Sequence, residues 1–447
     1  MLYSTGSNSH GQLGHDTTDD TAHFTPTSYT GARPRQLAFG GTHTLALASD
    51  GSLYAAGNNT KGQLGLPAAA TPHENLRTRF ELLPLELLLE TLGDAELRAV
   101  EWEVRGIAAA WETSYVYLGS RDRRKYRDDL LLVMGGNDWD EWANGAGDSQ
   151  RRRIGKITFD HLRRTDDERI HIKSLKAGPR HVLALLELGS ASDSSSRSTL
   201  VGWGAARHGQ LGLHDGPKAP RTISLPSVVT LPPSFEHSAI VDFAIGRDHT
   251  VLLLSASSAS GSPTLVLLGS SKQGQIGSPS SHPASSPSCN IIDLDSLLSF
   301  STYQCSIRIF TTWSSTFILT DSSLISFGSN SHSQLARPSS DLRHSSEVLS
   351  ITLSHSNSSV TASCALSAGS EHGLLLSSTS DGAEIYAWGW NEHGNLGTGD
   401  LKDGEEPQMV WKAAGAVAGP GRRTPREVWA GCATSWVWLD DEVEGAA

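Results

Sequence analysis

Short apolar runs recur along the whole chain: Leu2-Tyr3, Leu53-Tyr54, Leu131 to Met134, Leu200 to Trp203, Leu265 to Leu268, Leu324 to Phe327 and Ile385 to Trp388. Each is short and bounded by turn-forming residues, which predicts strands rather than helices. Each run leads into a glycine-framed polar segment. The clearest is Gly6-Ser7-Asn8-Ser9-His10-Gly11-Gln12-Leu13-Gly14, repeated as GNNTKGQLG from Gly57, GAARHGQLG from Gly204, GSSKQGQIG from Gly269, GSNSHSQLA from Gly328 and GWNEHGNLG from Gly389. A worn copy, GGNDWDEWANG, starts at Gly135. The glycines suit tight turns with positive φ, and the Leu or Ile tucks the turn back onto the sheet. The repeated unit is a strand end plus a structured turn.

A second pattern interleaves with the first: GGTHTLAL at Gly40, GPRHVLAL at Gly178, GRDHTVLL at Gly246 and GSEHGLLL at Gly369, with weaker versions at Ala110, Thr312 and Gly431. In mid-chain each G-x-x-H strand precedes a strand that feeds the turn motif. The first turn motif, at Gly6, has no such strand before it, and the last such strand, Thr434 to Leu439, has no turn motif after it. Joining the ends repairs both defects. Successive turn motifs lie 51 to 78 residues apart, and counting from Gly389 through the termini to Gly6 gives 64. The pattern therefore predicts an all-β, seven-bladed β-propeller whose ring is closed by pairing of the N- and C-terminal strands. Residues 1–447 then form one domain.

This alternation of G-x-x-H-T strands with G-x-N-x-x-G-Q-L-G turns resembles the regulator of chromosome condensation family of seven-bladed propellers, over nearly the whole chain. Within that family, a first strand that begins directly at Met1, with no tail, resembles the fungal alpha-tubulin suppressor proteins. That resemblance implies a non-enzymatic scaffold forming a heterodimer with a small CSL-type zinc-binding electron carrier. Through it, the chain would support diphthamide synthesis and Elongator-dependent modification of wobble uridines in tRNA. The family's name-giving member implies an alternative, guanine-nucleotide exchange on a Ran-type GTPase with chromatin association. A structural or cytoskeletal role is a third reading.

Charge bears on that choice. Lys and Arg total 36 against 48 Asp and Glu, a net charge of −12, so attraction to a phosphate backbone would need a local basic patch, and no direct DNA binding is expected. Cys289, Cys305, Cys364 and Cys432 show neither a C-x-x-C pair nor a His at ligand spacing, which argues against a zinc site or a disulfide framework. No signal segment and no long apolar run occurs, so the expected setting is cytoplasmic, with the nucleus also open, and no membrane contact is expected. The chain lacks G-x-S-x-G, H-E-x-x-H, a phosphate-binding P-loop and a Rossmann fingerprint. No catalytic residue, metal or cofactor is therefore assigned. The recurring His43, His181, His249 and His372 fall one per blade, too far apart to share an ion, and are expected to bond neighbouring backbone.

Three rim insertions interrupt the repeat, at about 66–99, 120–129 and 138–170. The first holds FELLPLELLLETLGDAEL, too apolar for a solvated loop. It predicts a helical turn or two packed on the rim and interrupted at Pro84, with a partner-binding amphipathic segment as the alternative. The second is a run of charges, expected as a solvated loop. Serine-rich spacers at 190–198, 255–262, 278–288 and 354–363 are expected to be mobile loops.

Repeated positions build blades, and positions that vary between repeats are free to make a site. The two residues between Gly and His of each G-x-x-H vary most usefully. They include Trp111, Glu112, Arg180, Arg247, Asp248, Trp313 and Glu371, and symmetry would gather them on one face. Tryptophans, arginines and carboxylates on a rigid frame are the composition of a protein-binding hot spot. The alternative is that each side chain fills a seam between blades. A second candidate is the loop Asp138, Trp139, Asp140 and Trp142, where two tryptophans among acids are hard to explain as core. Arg151 to Arg153 follow it.

Overall fold

The structure is a computed structural model. It describes residues 1–67, 71, 73–122, 128–145, 153–190, 196–214, 219–255, 263–278, 286–294, 306–321, 323–338, 349–352, 363–379, 382–412 and 423–441. The described residues form seven four-stranded sheets, each strand hydrogen-bonded to the next. This is a seven-bladed β-propeller.

Contacts divide the chain into two compact units, one of residues 1–9, 17–29 and 242–447, the other of residues 10–16 and 30–241. The second unit holds blades 2, 3 and 4. Blade 2 consists of Pro34–Phe39, His43–Ala48, Leu53–Asn58 and Leu76–Leu82. Blade 3 consists of Trp102–Ala109, Thr113–Ser120, Leu130–Gly135 and Ile154–Ile157. Blade 4 consists of Glu168–Ala177, His181–Ser190, Ser196–Ala205 and Thr222–Val228.

In the first unit, blade 1 is built from both ends of the chain. Its strands are Arg423–Ala430, Thr434–Asp441, Leu2–Gly6 and Thr21–Pro26, in that order across the sheet. Leu2–Gly6 runs antiparallel to Thr434–Asp441, with Leu2 opposite Trp438 and Gly6 opposite Thr434. The Met1 amino group donates to the Leu439 carbonyl at 2.5 Å, and the Leu439 N–H donates to Met1 O at 2.9 Å. Tyr3, Val428, Val437 and Leu439 share a buried cluster with Leu374, Leu376 and Ile385 of the neighbouring sheet. The terminal strands are thus central members of a packed blade, not a loose edge.

The turn motif explains its own composition. In GNNTKGQLG the Gln63 side chain accepts the Lys61 N–H at 3.0 Å, while Asn59 Oδ1 accepts the Leu64 N–H at 3.0 Å and Asn59 Nδ2 donates to Leu66 O at 3.1 Å. Leu64 is fully buried. Gly57 is required because a Cβ there would lie 2.5 Å from the Thr42 carbonyl oxygen. Worn copies keep the geometry without glycine. Asp140, Ala143, Ser333 and Ala336 all hold positive φ at the later glycine positions, at a strain of about 1 kcal/mol each.

Two expected insertions contain strands of the repeat itself. Within 66–99 the fourth strand of blade 2, Leu76–Leu82, comes first, and helix α1 (Leu85–Leu92) follows Pro84, which stands at its N-cap. Leu88 and Leu89 of α1 are buried in a cluster with Leu83, Met134 and Ile154, so the apolar face is covered within the chain. Helix α2 (Ala95–Arg98) is capped by the Asp94 side chain, which accepts from the Glu96 and Leu97 N–H groups. Within 138–170 lie the blade 3 turn, its fourth strand and the start of blade 4. Apolar residues in these fourth strands are sparse, which hid them from a reading based on hydrophobic runs.

The charge run at 120–129 ends in anchors rather than in solvent. The Asp128 carboxylate pairs with Arg163 at 2.6 Å and accepts the Ile170 N–H at 2.9 Å, and Asp129 accepts the Ile172 N–H at 2.9 Å. Residues 123–127, Arg151, Arg152 and most of the serine-rich spacers lie outside the described residues. Ser190 and Ser196, however, belong to strands of blade 4. No helix among the described residues is long and apolar enough to cross a membrane.

Removing residues 430–447 takes out a central strand together with buried Trp436, Val437 and Leu439. At about 2 kcal/mol per buried side chain and about 1 kcal/mol per strand hydrogen bond, that loss rivals a whole domain's stability of roughly 5 to 15 kcal/mol. The truncated chain is expected to lose its cooperative melting transition in circular dichroism. A transition within about 5 °C of the full-length midpoint would show that the terminal pairing is dispensable.

Candidate functional site

Both repeated motifs come together at the same end of each sheet. His43 pairs with Gly57, Thr113 with Gly135, His181 with Gly204, His249 with Gly269, Ser315 with Gly328, His372 with Gly389 and Thr434 with Gly6. Each G-x-x-H turn therefore lies beside the first glycine of a turn motif.

His43, His249 and His372 tie neighbouring sheets through side-chain hydroxyls, and His372 also bonds the Thr434 backbone, as expected of these histidines. His43 Nε2 meets Ser114 Oγ at 2.8 Å, His249 Nε2 meets Thr316 Oγ1 at 3.2 Å, and His372 Nε2 meets Ser435 Oγ at 3.0 Å. The hydroxyl belongs to the position after the His-equivalent of the next repeat, which accounts for the T in G-x-x-H-T. Thr316 passes the chain on by donating to the Gln275 carbonyl at 2.8 Å. Burial pushes His43 down to about 3 and His372 down to about 4, so these rings are neutral connectors.

Just before each histidine, the backbone itself hops between blades. In the unit holding blades 2 to 4, the Gly41 N–H donates to Trp111 O at 2.8 Å and the Trp111 N–H donates to Pro179 O at 3.2 Å. In the other unit, Arg247 donates to Trp313 O, Trp313 to Ser370 O and Ser370 to Gly431 O, at 2.8 to 3.0 Å. Main-chain atoms thus hold these residues, and their side chains are left to vary.

Around Trp111 this frame builds a mixed-charge aromatic patch. The Trp111 indole is 43% exposed and lies against Gly41, where a Cβ would come within 2.8 Å of the ring. Lys61 bridges Glu112 at 2.5 Å and Asp138 at 3.2 Å, and the Glu112 hydrogen bond, the largest influence, holds its ammonium above the usual lysine range. Arg180 sits over the Trp139 ring at 4.9 Å and Arg221 at 5.3 Å, a pair of cation–π contacts. Asp140 accepts the Thr222 hydroxyl at 2.5 Å. The two candidate groups, Trp111–Glu112–Arg180 and the loop at Asp138, are therefore one surface.

Trp142 is a correction to that loop. It occupies the Leu position of the motif, is only 8% exposed and packs in a core cluster with Ile157, Phe159 and Trp203. A larger apolar side chain has replaced Leu, and Gly155 leaves the room it needs, since a Cβ there would be 3.0 Å from the indole.

In the other unit, Arg247 pairs with its neighbour Asp248 at 3.1 Å, and Trp313 is half-buried. Glu371 faces His332 Nε2 at 3.8 Å, and burial raises its carboxyl above the usual range. His332 Nδ1 meets Asp403 at 3.0 Å, Trp390 lies between His332 and His393, and His393 Nδ1 meets Asp20 at 2.6 Å. Among the described residues no group of three or more His, Cys, Asp or Glu is arranged to hold a metal ion. Burial pushes the thiols of Cys289 and Cys432 up to about 11 and about 12, so both stay protonated near neutrality. Paired charges beside half-exposed aromatics can form a specific protein contact.

Lys61, Trp139, His332 and His393 share one signal. Each stands at the fifth position of its turn motif, and for Lys61, Trp139 and His332 the backbone N–H is fixed by the motif's Gln or Glu while the side chain points elsewhere. Comparing that position across repeats would have found Lys61, His332 and His393 beside Trp139, which composition alone had pointed to.

The repeat itself is matched by two models of the regulator of chromosome condensation (RCC1) repeat, one over residues 1–47, 199–253 and 383–426, the other over 35–63. The chain therefore carries RCC1-type repeats over these segments. It is 25% identical over 430 residues to the secretion-regulating guanine nucleotide exchange factor of Bos taurus, covering 92% of this chain and 78% of that protein. It is also 25% identical over 443 residues to an RCC1 repeat-containing protein of Schizosaccharomyces pombe, covering 99% of both. Among solved structures, human WBSCR16 matches with a TM-score of 0.68 at 17% identity over 99% of each chain. Prp20p of Saccharomyces cerevisiae matches with a TM-score of 0.65 at 18% identity, over 99% of this chain and 92% of that one.

One position of the turn motif is chemically altered here. Where five turns carry Gln, blade 3 carries Glu141, only 3% exposed and still accepting the Trp139 N–H at 2.7 Å. Burial, with Asp138 and Asp140 adding to it, pushes its carboxyl up from 4.5 to about 7. A raised folded-state value means that this group's contribution is most favourable below pH 4.5 and is lost as pH rises through about 7. Glu141→Gln is therefore expected to match wild type near pH 4.5 and to exceed it by about 1 to 3 kcal/mol at pH 8, as read by thermal or urea unfolding. The buried histidines titrate in the opposite sense but are common to both proteins and cancel. A pH-independent difference would show that Glu141 is not the titrating group.

Proposed function

We propose that this chain is a non-catalytic protein-interaction propeller whose partner docks on the patch centred at Trp111. The observation that carries this reading is the exposed indole, held in place by main-chain bonds on both sides and flanked by the Lys61–Glu112–Asp138 and Arg180–Trp139–Arg221 groupings. An aromatic anchor preorganised by backbone loses little side-chain entropy on binding. The partner proposed is a small CSL-type zinc-binding electron carrier, with a role in diphthamide synthesis and Elongator-dependent wobble-uridine modification. It is supported by the resemblance to the fungal alpha-tubulin suppressor proteins. The expected setting is the cytoplasm, with the nucleus also open.

A second reading, guanine-nucleotide exchange on a Ran-type GTPase, is favoured by the relative in Bos taurus named as an exchange factor and by Prp20p, a protein with binding properties toward Gsp1p and histones.

Trp111→Ala should leave the melting midpoint within about 2 °C of wild type, because an exposed substitution rarely costs more than about 0.5 kcal/mol. It should weaken binding of the purified zinc protein, measured by calorimetry, about 10- to 30-fold. Unchanged affinity would remove the patch from the interface. Robust acceleration of nucleotide release from a Ran-type GTPase, abolished by the same substitution, would replace the first reading with the second.

A further inference from the structure

The first strands of blades 2, 3 and 4 each contain a β-bulge, and in each the extra residue is basic: Arg35, Arg105 and Lys173. A bulge leaves one residue out of the ladder and re-aims its side chain. In blade 2 that residue stitches the seam. Arg35 Nη2 donates to the Val104 carbonyl of blade 3, and the next residue, Gln36, donates through Nε2 to Ile107 O at 2.6 Å and accepts the Ile107 N–H at 3.0 Å.

Blade 3 presents Arg105 and Gly106 at the same two positions. Gly106 has no side chain with which to bridge, and Tyr117, opposite it in the ladder, covers it so closely that a Cβ would lie 2.3 Å from the ring. Arg105 pairs at 3.9 Å with Glu103 of its own strand, and its Nε is buried without a hydrogen-bond partner among the described residues. Among the described residues, the stitch that Arg35 and Gln36 make between blades 2 and 3 has no counterpart at Arg105 and Gly106. In its place is a cavity of about 320 Å³ lined by Arg105, Tyr117, Asp129, His171, Lys173 and Glu187, at the low end of the range for small-molecule sites. It lies toward the opposite end of the strands from Trp111.

The acids of the lining already have partners. Asp129 accepts the Ile172 N–H at 2.9 Å and faces His171 at 3.6 Å, while Glu187 accepts the Ser196 hydroxyl at 2.9 Å and faces Lys173 at 3.6 Å. Spare capacity is on the donor side, in a planar guanidinium suited to a carboxylate and a phenol that burial keeps protonated. Two carboxylates in the wall weigh against a multiply charged oxyanion such as phosphate.

We propose that this cavity is a binding site for a small monocarboxylate, held by the Arg105 guanidinium with the Tyr117 hydroxyl as a further donor. The test titrates butyrate, and separately inorganic phosphate at equal ionic strength, into the full chain, reading calorimetric heat and thermal midpoint. Butyrate should give a saturable shift and phosphate none. Arg105→Met should weaken butyrate about 10- to 100-fold, the loss expected for a charged hydrogen-bond pair, and Tyr117→Phe about 3- to 10-fold. If Arg105→Met fails to fold, Tyr117→Phe, which removes one oxygen, decides. Absence of a saturable butyrate response, a stronger response to phosphate, or equal affinity in the folded variants would overturn the assignment.

Discussion

A buried imidazole-to-hydroxyl hydrogen bond is what the rest of this propeller depends on. A single four-stranded sheet has two apolar faces and cannot be stable alone; it must be held at a fixed offset from the next. His43–Ser114, His249–Thr316 and His372–Ser435 set that offset within each unit at 2.8 to 3.2 Å. Full burial makes the bond costly to break, because either partner alone would be left unsatisfied. It also keeps the rings of His43 and His372 neutral, so the tie is not weakened by protonation near neutrality. Where Thr113 opens its strand in blade 3 and Ser315 opens the strand Ser315–Leu319 in place of His, this bond is given up, and the adjoining main-chain hop and apolar packing carry those seams.

The blades could be read from the chain because they repeat. Turn glycines, the Gln that caps the turn and the Leu beneath it recur at fixed offsets, and the missing half-units at Gly6 and Thr434 pointed to the Leu2–Gly6 and Thr434–Asp441 pairing. Fourth strands were not legible. Leu76–Leu82 and Ile154–Ile157 carry few buried residues or are short, so hydrophobic periodicity is weak there and they were absorbed into supposed insertions. Helix α1 was legible because its leucines could not be solvated. The exact start after Pro84 follows from proline's fixed φ and missing N–H, which suit a helix entrance and not its middle.

The candidate surface was half legible, for a physical reason that concerns which atoms a motif uses. Trp111, Glu112 and Arg180 were found because the G-x-x-H turn is held by main chain, leaving side chains free. The same is true of the fifth position of the turn motif, whose N–H is capped by Gln or Glu, yet Lys61, His332 and His393 were passed over because His and Lys in a polar loop look unremarkable. Trp142 misled in the opposite direction. Aromatic residues near acids resembled a surface, but at the Leu position the backbone directs the side chain inward, and Glu141 beside it is drawn into the same interior. Position within the repeat outweighs local composition.

Blades 2 and 3 start from the same local geometry, a bulge with arginine as the extra residue, and reach opposite outcomes through the next residue. Gln36 can exchange two hydrogen bonds with Ile107 and closes the seam; Gly106 cannot, and the ring of Tyr117 fills only the space above it. Of the two guanidinium groups, only that of Arg35 donates to a carbonyl across the seam among the described residues. Arg105 keeps a buried Nε without a hydrogen-bond partner among the described residues, a donor that a ligand carboxylate can take up. Its persistence beside an open cavity is most simply understood if something small and anionic completes the set, so that a single absent side chain at Gly106 turns a joint between blades into a place where a molecule can be held.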